Sequence, residues 1–159
     1  MPIIRDESKR KKIVDLLTQA YWMEIETVMS YIANSVNLDG VRAEEIKKSL
    51  ASDVTEELGH AQQFAQRIKV LYGKVPGSKE FKATQTYLQP PADSTDVAAV
   101  IRGVIEAEQG AIDHYRKIIE VTSEIDPVTA DMVTTILGDE EEHMRTFEGF
   151  LKEYEKGGK

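Results

Sequence analysis

The 159 residues include no cysteine. That excludes disulfides, thiolate zinc sites, iron–sulfur clusters and cysteine nucleophiles together. Basic residues are also short. Twenty Lys and Arg stand against 28 Asp and Glu, for a net charge of −8. Such a chain is poorly suited to nucleic acid or an anionic membrane, because phosphate contact needs a cationic surface. No apolar run approaches the roughly 18 residues of a spanning helix. The opening residues are too polar for a secretory signal, so a cytoplasmic location is expected. Hydrophobic residues at 41% and charged residues at 30% fit an ordinary globular composition. The length suits one domain over residues 1–159.

Glycine and proline are sparse, with ten and five copies, and their placement divides the chain. Neither occurs between Glu7 and Asn37, where helix formers dominate. Leu38-Asp39-Gly40 reads as a turn, and the next uninterrupted stretch ends at Gly73. Gly73, Pro76, Gly77, Pro90 and Pro91 mark a long connection, weakly alternating over Ala83–Leu88. Asp93-Ser94-Thr95-Asp96 is dense in N-cap residues, and Asp126-Pro127 reads as a cap with proline at the first helical position. The expectation is all-α, with helices over about 7–37, 42–72, 95–122 and 127–155, and a frayed tail at Gly157-Gly158-Lys159.

Loop lengths then set the topology. The first and last connections are only a few residues, so each joins antiparallel neighbours. The middle one, about 21 residues, spans up to roughly 70 Å when extended, against about 45 Å for a 30-residue helix. It can therefore run the length of the bundle and start helix 3 beside the start of helix 2. The result is a four-helix bundle of two hairpins joined by a long crossover.

Each helix has an apolar seam at spacings of three and four, and each seam is interrupted near its middle. Helix 1 places Glu24 between Ala20 and Thr27. Helix 2 places Glu57 and His60 between Val54 and Phe64. Helix 3 places Glu108 between Val104 and Ala111, and helix 4 places Glu140 and His143 between Ile136 and Phe147. Burying one unpaired carboxylate costs several kcal/mol, and converging carboxylates raise one another's pKa. No inward Lys or Arg is available as a partner. Two divalent metal ions would match four carboxylates, with two neutral imidazoles completing the shells. Glu26, Glu56, Glu106, Glu141, Glu142 and His114 lie off the seams and are expected at the surface. Asp53, one turn before Glu57, is expected on a solvated face, from which it could hand ions inward.

Spacing sharpens the pattern. Glu57-Leu58-Gly59-His60 and Glu140-Glu141-Glu142-His143 are both Glu-x-x-His, which puts carboxylate and imidazole one helical turn apart on one face. Each is preceded by an inward glutamate on the helix before, 33 residues earlier for the first pair and 32 for the second. One Glu from each of two helices, with Glu-x-x-His from the other two, is the ligand pattern of di-iron and di-manganese carboxylate bundles.

On these motifs the sequence resembles the ferritin superfamily, and within it the bacterioferritins, from about residue 10 to 155. Tyr31 seven residues after Glu24, the Asp139-Glu140-Glu141-Glu142-His143 string, and the Leu71, Gly73, Pro76 exit from helix 2 also match. The resemblance implies a ferritin-like fold and two iron ions per chain, manganese being the alternative. It implies that Glu57 and Glu140 bridge the ions, with Glu24 and His60 completing one and Glu108 and His143 the other. The family register falls on Ala107, so Glu106 competes with Glu108; the seam and the Glu108/Tyr115 spacing favour Glu108. Tyr31 is expected to hydrogen-bond a bridging carboxylate, to supply an electron, or simply to pack. Leu58 stands where bacterioferritins carry a haem-ligating methionine, so no haem is expected.

The implied activity is a ferroxidase. It would oxidise ferrous iron with dioxygen or hydrogen peroxide, for iron storage and protection against oxidative stress. Only 16 residues follow His143, too few for the fifth helix of 24-subunit cages, so a homo-oligomer such as a 12-subunit cage is expected. Two other functions use related parts. One is a non-storage di-metal oxidase or peroxide reductase. The other is a Dps-like DNA-protecting miniferritin, resting on the basic run Lys9-Arg10-Lys11-Lys12.

Overall fold

The computed structural model describes residues 1–157. Four helices carry the fold: α1 (Glu7–Asn37), α2 (Glu44–Val70), α3 (Val97–Thr122) and α4 (Pro127–Lys156). No strand occurs among the described residues; the weak alternation at 83–88 resolves into a short 3₁₀ turn, Thr86–Leu88.

Local chemistry explains the ends. Asp6, Asp96 and Asp126 each accept a hydrogen bond from the backbone N–H three residues on, capping α1, α3 and α4. Helix α3 begins two residues later than expected. Asp93 closes its own turn, accepting from the Thr95 backbone and hydroxyl at 2.9 and 2.7 Å, which leaves Asp96 as the cap. Helix α2 opens through a 3₁₀ turn at Val41–Ala43. It ends at Val70 because Tyr72 adopts a left-handed φ of 64°. Of the expected frayed tail, Gly158 and Lys159 lie outside the described residues, while Gly157 caps α4 through its N–H to Glu153 O.

The α1–α2 turn lies beside the start of α3, where the Asp39 N–H donates to Ser94 O at 2.9 Å. Helix α1 packs on α2 and α3, and α3 on α4. Apolar residues form two clusters. One gathers Ile13, Leu17, Phe64, Ile68, Ile118 and Val133; the other gathers Leu38, Ile46, Leu50, Ile101, Val104 and Phe147. Burial of each such side chain contributes about 1.5–3 kcal/mol. Between the clusters lies a layer of ionisable groups, the mid-seam interruptions of the four helices.

Two off-seam residues differ from expectation. Glu26 is 4% exposed, and His114 is 8% exposed. The crossover passes over α1 and covers Glu26, whose carboxylate accepts from the backbone N–H groups of Thr84 and Gln85. Helix α3 packs against α1 as well as α4, so its buried face is wider than one seam. His114 is paired there with Leu16 O at 2.8 Å. Glu56, Glu106, Glu141 and Glu142 are exposed, as expected.

Candidate metal centre

The mid-seam residues meet at the middle of the bundle. Glu24, Glu57, Glu108 and Glu140 are each at most 2% exposed, as is His60; the His143 side chain is 11% exposed. Two sets of potential ligand atoms result, each within 4.8 Å of one another. The first is Glu24, Glu57, His60 and Glu140; the second is Glu57, Glu108, Glu140 and His143. Glu57 and Glu140 belong to both. Glu106 belongs to neither, and the helix-3 position is occupied by Glu108.

The orientation of the shared carboxylates is informative. His60 Nδ1 lies 3.0 Å from Glu140 Oε1 and 3.6 Å from Glu57 Oε2. His143 Nδ1 lies 3.1 Å from Glu57 Oε1 and 3.3 Å from Glu140 Oε2. Each shared carboxylate therefore turns one oxygen to each imidazole, which suits it to span two cations.

Outer partners fix the imidazoles. His60 Nε2 lies 3.0 Å from Asp139 Oδ2, and His143 Nε2 lies 3.0 Å from Glu56 Oε2. With a proton held on Nε2 by these acids, each Nδ1 faces inward, where yielding its own proton to a cation gives the tautomer a metal ligand needs. These acids went unrecognised in the sequence, yet each immediately precedes the glutamate of a Glu-x-x-His, so the repeated signal was acid-Glu-x-x-His. On the opposite face the tyrosines cross over. Tyr31 donates to Glu108 at 2.6 Å, and Tyr115 donates to Glu24. Tyr31 thus serves Glu108, not either shared carboxylate.

The electrostatics divide the four carboxylates of the centre into two pairs. Burial pushes Glu24 and Glu108 well above the ordinary carboxylate range, reinforced by their acidic neighbours. Burial also opposes ionisation of Glu57 and Glu140. There it is outweighed by the close approach of Glu24 and both imidazoles to Glu57, and chiefly of the imidazoles to Glu140, and both stay below that range. Burial would lower His60, but Glu140 and Glu57 hold it up to about 10, and His143 is raised likewise by Glu108, Glu140 and Glu57. These approaches are close without being well-formed hydrogen bonds, so Glu57 Oε1, both Glu140 oxygens and both Nδ1 atoms are buried with no such bond among the described residues. Buried polar atoms are rarely left so. Five such atoms converging on one point fit a pair of cations, and the nitrogen–oxygen donor set suits iron or manganese.

A family model described as a ferritin-like domain matches residues 14–156. The chain belongs to the ferritin-like family. Among ferritin-like relatives, the bacterioferritin of Desulfovibrio desulfuricans is 27% identical over 143 residues, covering 89% of this chain and 75% of its own. An X-ray structure of a bacterioferritin from that organism, described as showing its diiron site in different catalytic states, superposes with a TM-score of 0.80 at 25% identity. That match covers 94% of this chain and 84% of the other. The DNA protection during starvation protein of Pyrococcus furiosus is 30% identical over 146 residues, 89% of this chain and 77% of its own. The fold is also that of the bacterioferritin-related protein of Bacteroides fragilis, described as a dodecameric thioferritin. That TM-score is 0.82 at 23% identity, covering 94% of this chain and 89% of the other. No described helix is long and apolar enough to cross a membrane.

Proposed function

We propose that this ferritin-like protein is a di-iron ferroxidase, with Glu24, Glu57, His60, Glu108, Glu140 and His143 as the metal ligands and iron storage as its purpose. The observation that carries this reading is the pair of shared carboxylates, each turning one oxygen to each imidazole. In this reading Glu57 and Glu140 bridge, Glu24 and His60 complete one site, and Glu108 and His143 the other. A pair of ferrous ions there supplies two electrons at once, enough with two protons to take dioxygen to hydrogen peroxide, or peroxide to two waters. The chain's own contribution is positional. Asp139 and Glu56 hold the imidazole tautomers, Tyr31 and Tyr115 hold the terminal carboxylates, and the two apolar clusters exclude bulk water.

A storage role also draws support from the surface. Met29, Ile32 and Val36 form an exposed apolar stripe on α1, at 60%, 48% and 72% exposure. Such a stripe suits contact with another copy of the chain, and a 12-subunit cage is the assembly we favour. The basic run at the start of α1 offers less to DNA than its sequence implies: Lys11 pairs with Asp15 at 2.7 Å, and Arg10 reaches Leu71 O.

The test is an anaerobic ferrous titration followed by oxidant, read by near-ultraviolet absorbance. Two ions per chain and rapid oxidation on mixing are expected. Binding should also release protons, because burial and the acidic neighbours favour the protonated forms of Glu24, Glu108 and the two imidazoles, and cations displace those protons. A weakly buffered solution with a pH indicator reads this directly. Binding of one ion, or none, would sink the assignment.

A further inference from the structure

The α1/α3 side of the centre opens into a small cavity bounded by all four mid-seam glutamates. Besides those glutamates it is walled by Met23, Thr27, Gln85, Ala107, Ala111 and Tyr115, with about 10 Å³ open to the centre of a water-sized molecule. That is room for roughly one water. Five of those six further residues come from α1 and α3. The sixth, Gln85, comes from the crossover, and it is 3% exposed. Its carboxamide Nε2 donates to Thr27 Oγ1 at 3.1 Å and reaches Met23 O at 3.5 Å.

The crossover is held down at this point by several independent contacts. The buried Glu26 carboxylate takes the Gln85 N–H at 2.7 Å and also the Thr84 N–H. Asn34 Nδ2 donates to Leu88 O at 3.0 Å. Gly103 lets the chain lie against α3, where a Cβ would collide with the Tyr87 carbonyl oxygen. A buried carboxylate spent on two loop N–H groups, and a glycine cleared for a loop carbonyl, fix one side chain over one cavity. Outside the strap lies a groove of about 360 Å³ lined by Asp15, Gln19, Trp22, Met23, Glu26 and Thr84. Met23 lines both spaces. The Trp22 indole N–H beside the groove has no hydrogen-bond partner among the described residues.

We propose that Gln85, paired with Thr27 and seated by Glu26, is the specificity-determining residue on the oxidant side of the centre. It admits dioxygen or hydrogen peroxide from the groove and excludes organic hydroperoxides and larger substrates. This inference rests on the ferroxidase reading. The cavity it leaves has room for about one water, too little for a branched or aromatic group, whereas the groove outside holds far more. For a hydroperoxide ROOH, two ferrous ions give up two electrons, the O–O bond breaks, and two protons are taken up. One alcohol (or water), one water and two ferric ions result. The chemistry is the same for every R, so any discrimination must come from access.

The experiment mixes protein loaded anaerobically with two ferrous ions per chain with hydrogen peroxide or with tert-butyl hydroperoxide, and compares oxidation rates. The native chain should prefer hydrogen peroxide by about a hundredfold or more, beyond their intrinsic ratio in free solution, as expected when several carbons are refused by a closed pocket. Gln85→Ala should cut that preference at least about tenfold, and Gln85→Leu, which fills the same volume, should preserve it. Thr27→Ala, a benign helix substitution, should also lower the preference and serves if Gln85→Ala folds poorly. A readout free of turnover uses cobalt-loaded protein. Azide should perturb the visible spectrum of the native chain and benzoate should not, whereas both should do so in Gln85→Ala.

A native chain that binds two ions and oxidises them, yet treats both hydroperoxides alike, overturns the gate while leaving the ferroxidase reading intact. So does native discrimination that persists in both Gln85→Ala and Thr27→Ala, or that is lost equally in Gln85→Leu. A native chain that binds no metal pair overturns the ferroxidase reading itself.

Discussion

The two faces of the centre belong to one bundle and behave oppositely. Towards α2 and α4 the imidazoles point outward to Asp139 and Glu56, whose side chains are 37% and 44% exposed. Asp53 stands 3.9 Å from His143 Nε2, half-buried, and burial pushes its carboxyl up to about 6. That face is acidic and reachable by water. Towards α1 and α3 the terminal carboxylates are held by tyrosines, and the crossover lies over them. That face is closed. The ligand set has near two-fold symmetry, Glu24 with Tyr115 answering Glu108 with Tyr31, but the enclosure does not. A cation meets negative charge on one side, and only a very small neutral molecule fits on the other. The asymmetry follows the crossover, which is tied to Glu26, Thr27 and Asn34 on the α1/α3 side.

The comparison can be broken most completely at the shared carboxylates. Glu57→Ala removes a group common to both ligand sets, so both ions should be lost, with the ferrous stoichiometry falling from two towards zero. Glu106→Ala, an exposed neighbour of the ligand on α3, should leave it at two. Equal effects in calorimetric titration would refute the assignment of the mid-seam residues.

A smaller effect distinguishes the outer acids. Asp139→Asn and Glu56→Gln each weaken the hold on an imidazole tautomer, a change that typically costs about 10–100-fold in metal affinity. Asp139→Asn should be the more damaging, because His60 is 3% exposed against 11% for His143. Solvent can replace the partner of His143 more easily. Competition with a calibrated chelator measures the two, and the reverse order would show that enclosure does not set the strength of these contacts.

The third effect is on stability without metal. Glu108 has its pKa raised by burial and by the neighbouring acids, so above the ordinary glutamate value it must take up a proton to fold. That cost grows as pH rises from about 4.3 towards its folded value. Glu108→Gln removes it, and should stabilise the chelator-treated protein at pH 7 by about 1–3 kcal/mol, with the gain vanishing near pH 4. Loss of stability at neutral pH would mean that the carboxylates are mutually better neutralised than the burial argument holds.

Much of this was legible because periodicity reports burial. A glutamate at a seam position must face the core, and two Glu-x-x-His pairs at matching distances place six groups in one layer. Loop lengths alone set the order of the hairpins, and the Glu108/Tyr115 spacing favoured the glutamate that the fold brings to the centre over Glu106. What escaped detection depends on segments without a period. Glu26 reads as a solvated helix position until the crossover is laid over it, and nothing in Thr84 or Gln85 marks them as its partners. Tyr31 and Tyr115 carry the spacing, but which carboxylate each serves depends on α1 and α3 running antiparallel at contact distance. His114 escaped because a seam of one period underestimates a helix packed on two sides.

His114 offers the mildest perturbation, on the closed side and away from the ligands. Burial lowers its pKa below the ordinary value, against a smaller opposing effect of its bond to Leu16 O, so the imidazole is neutral in the folded chain and donates from Nε2. Above about pH 6.5 the folded and unfolded chains are both neutral at this position, and it contributes no pH dependence. Below that value the unfolded chain takes up a proton that the folded chain resists, so stability falls as pH drops towards the folded pKa. In His114→Gln the amide can still donate to Leu16 O but cannot titrate. The variant should match the native protein at pH 7.5 and lose less stability between pH 6.5 and 5, with the other acids contributing equally to both. Parallel melting curves in chelator across that range would show that His114 takes up its proton as readily inside the fold as outside it, and that the α1/α3 side is more open than the strap implies.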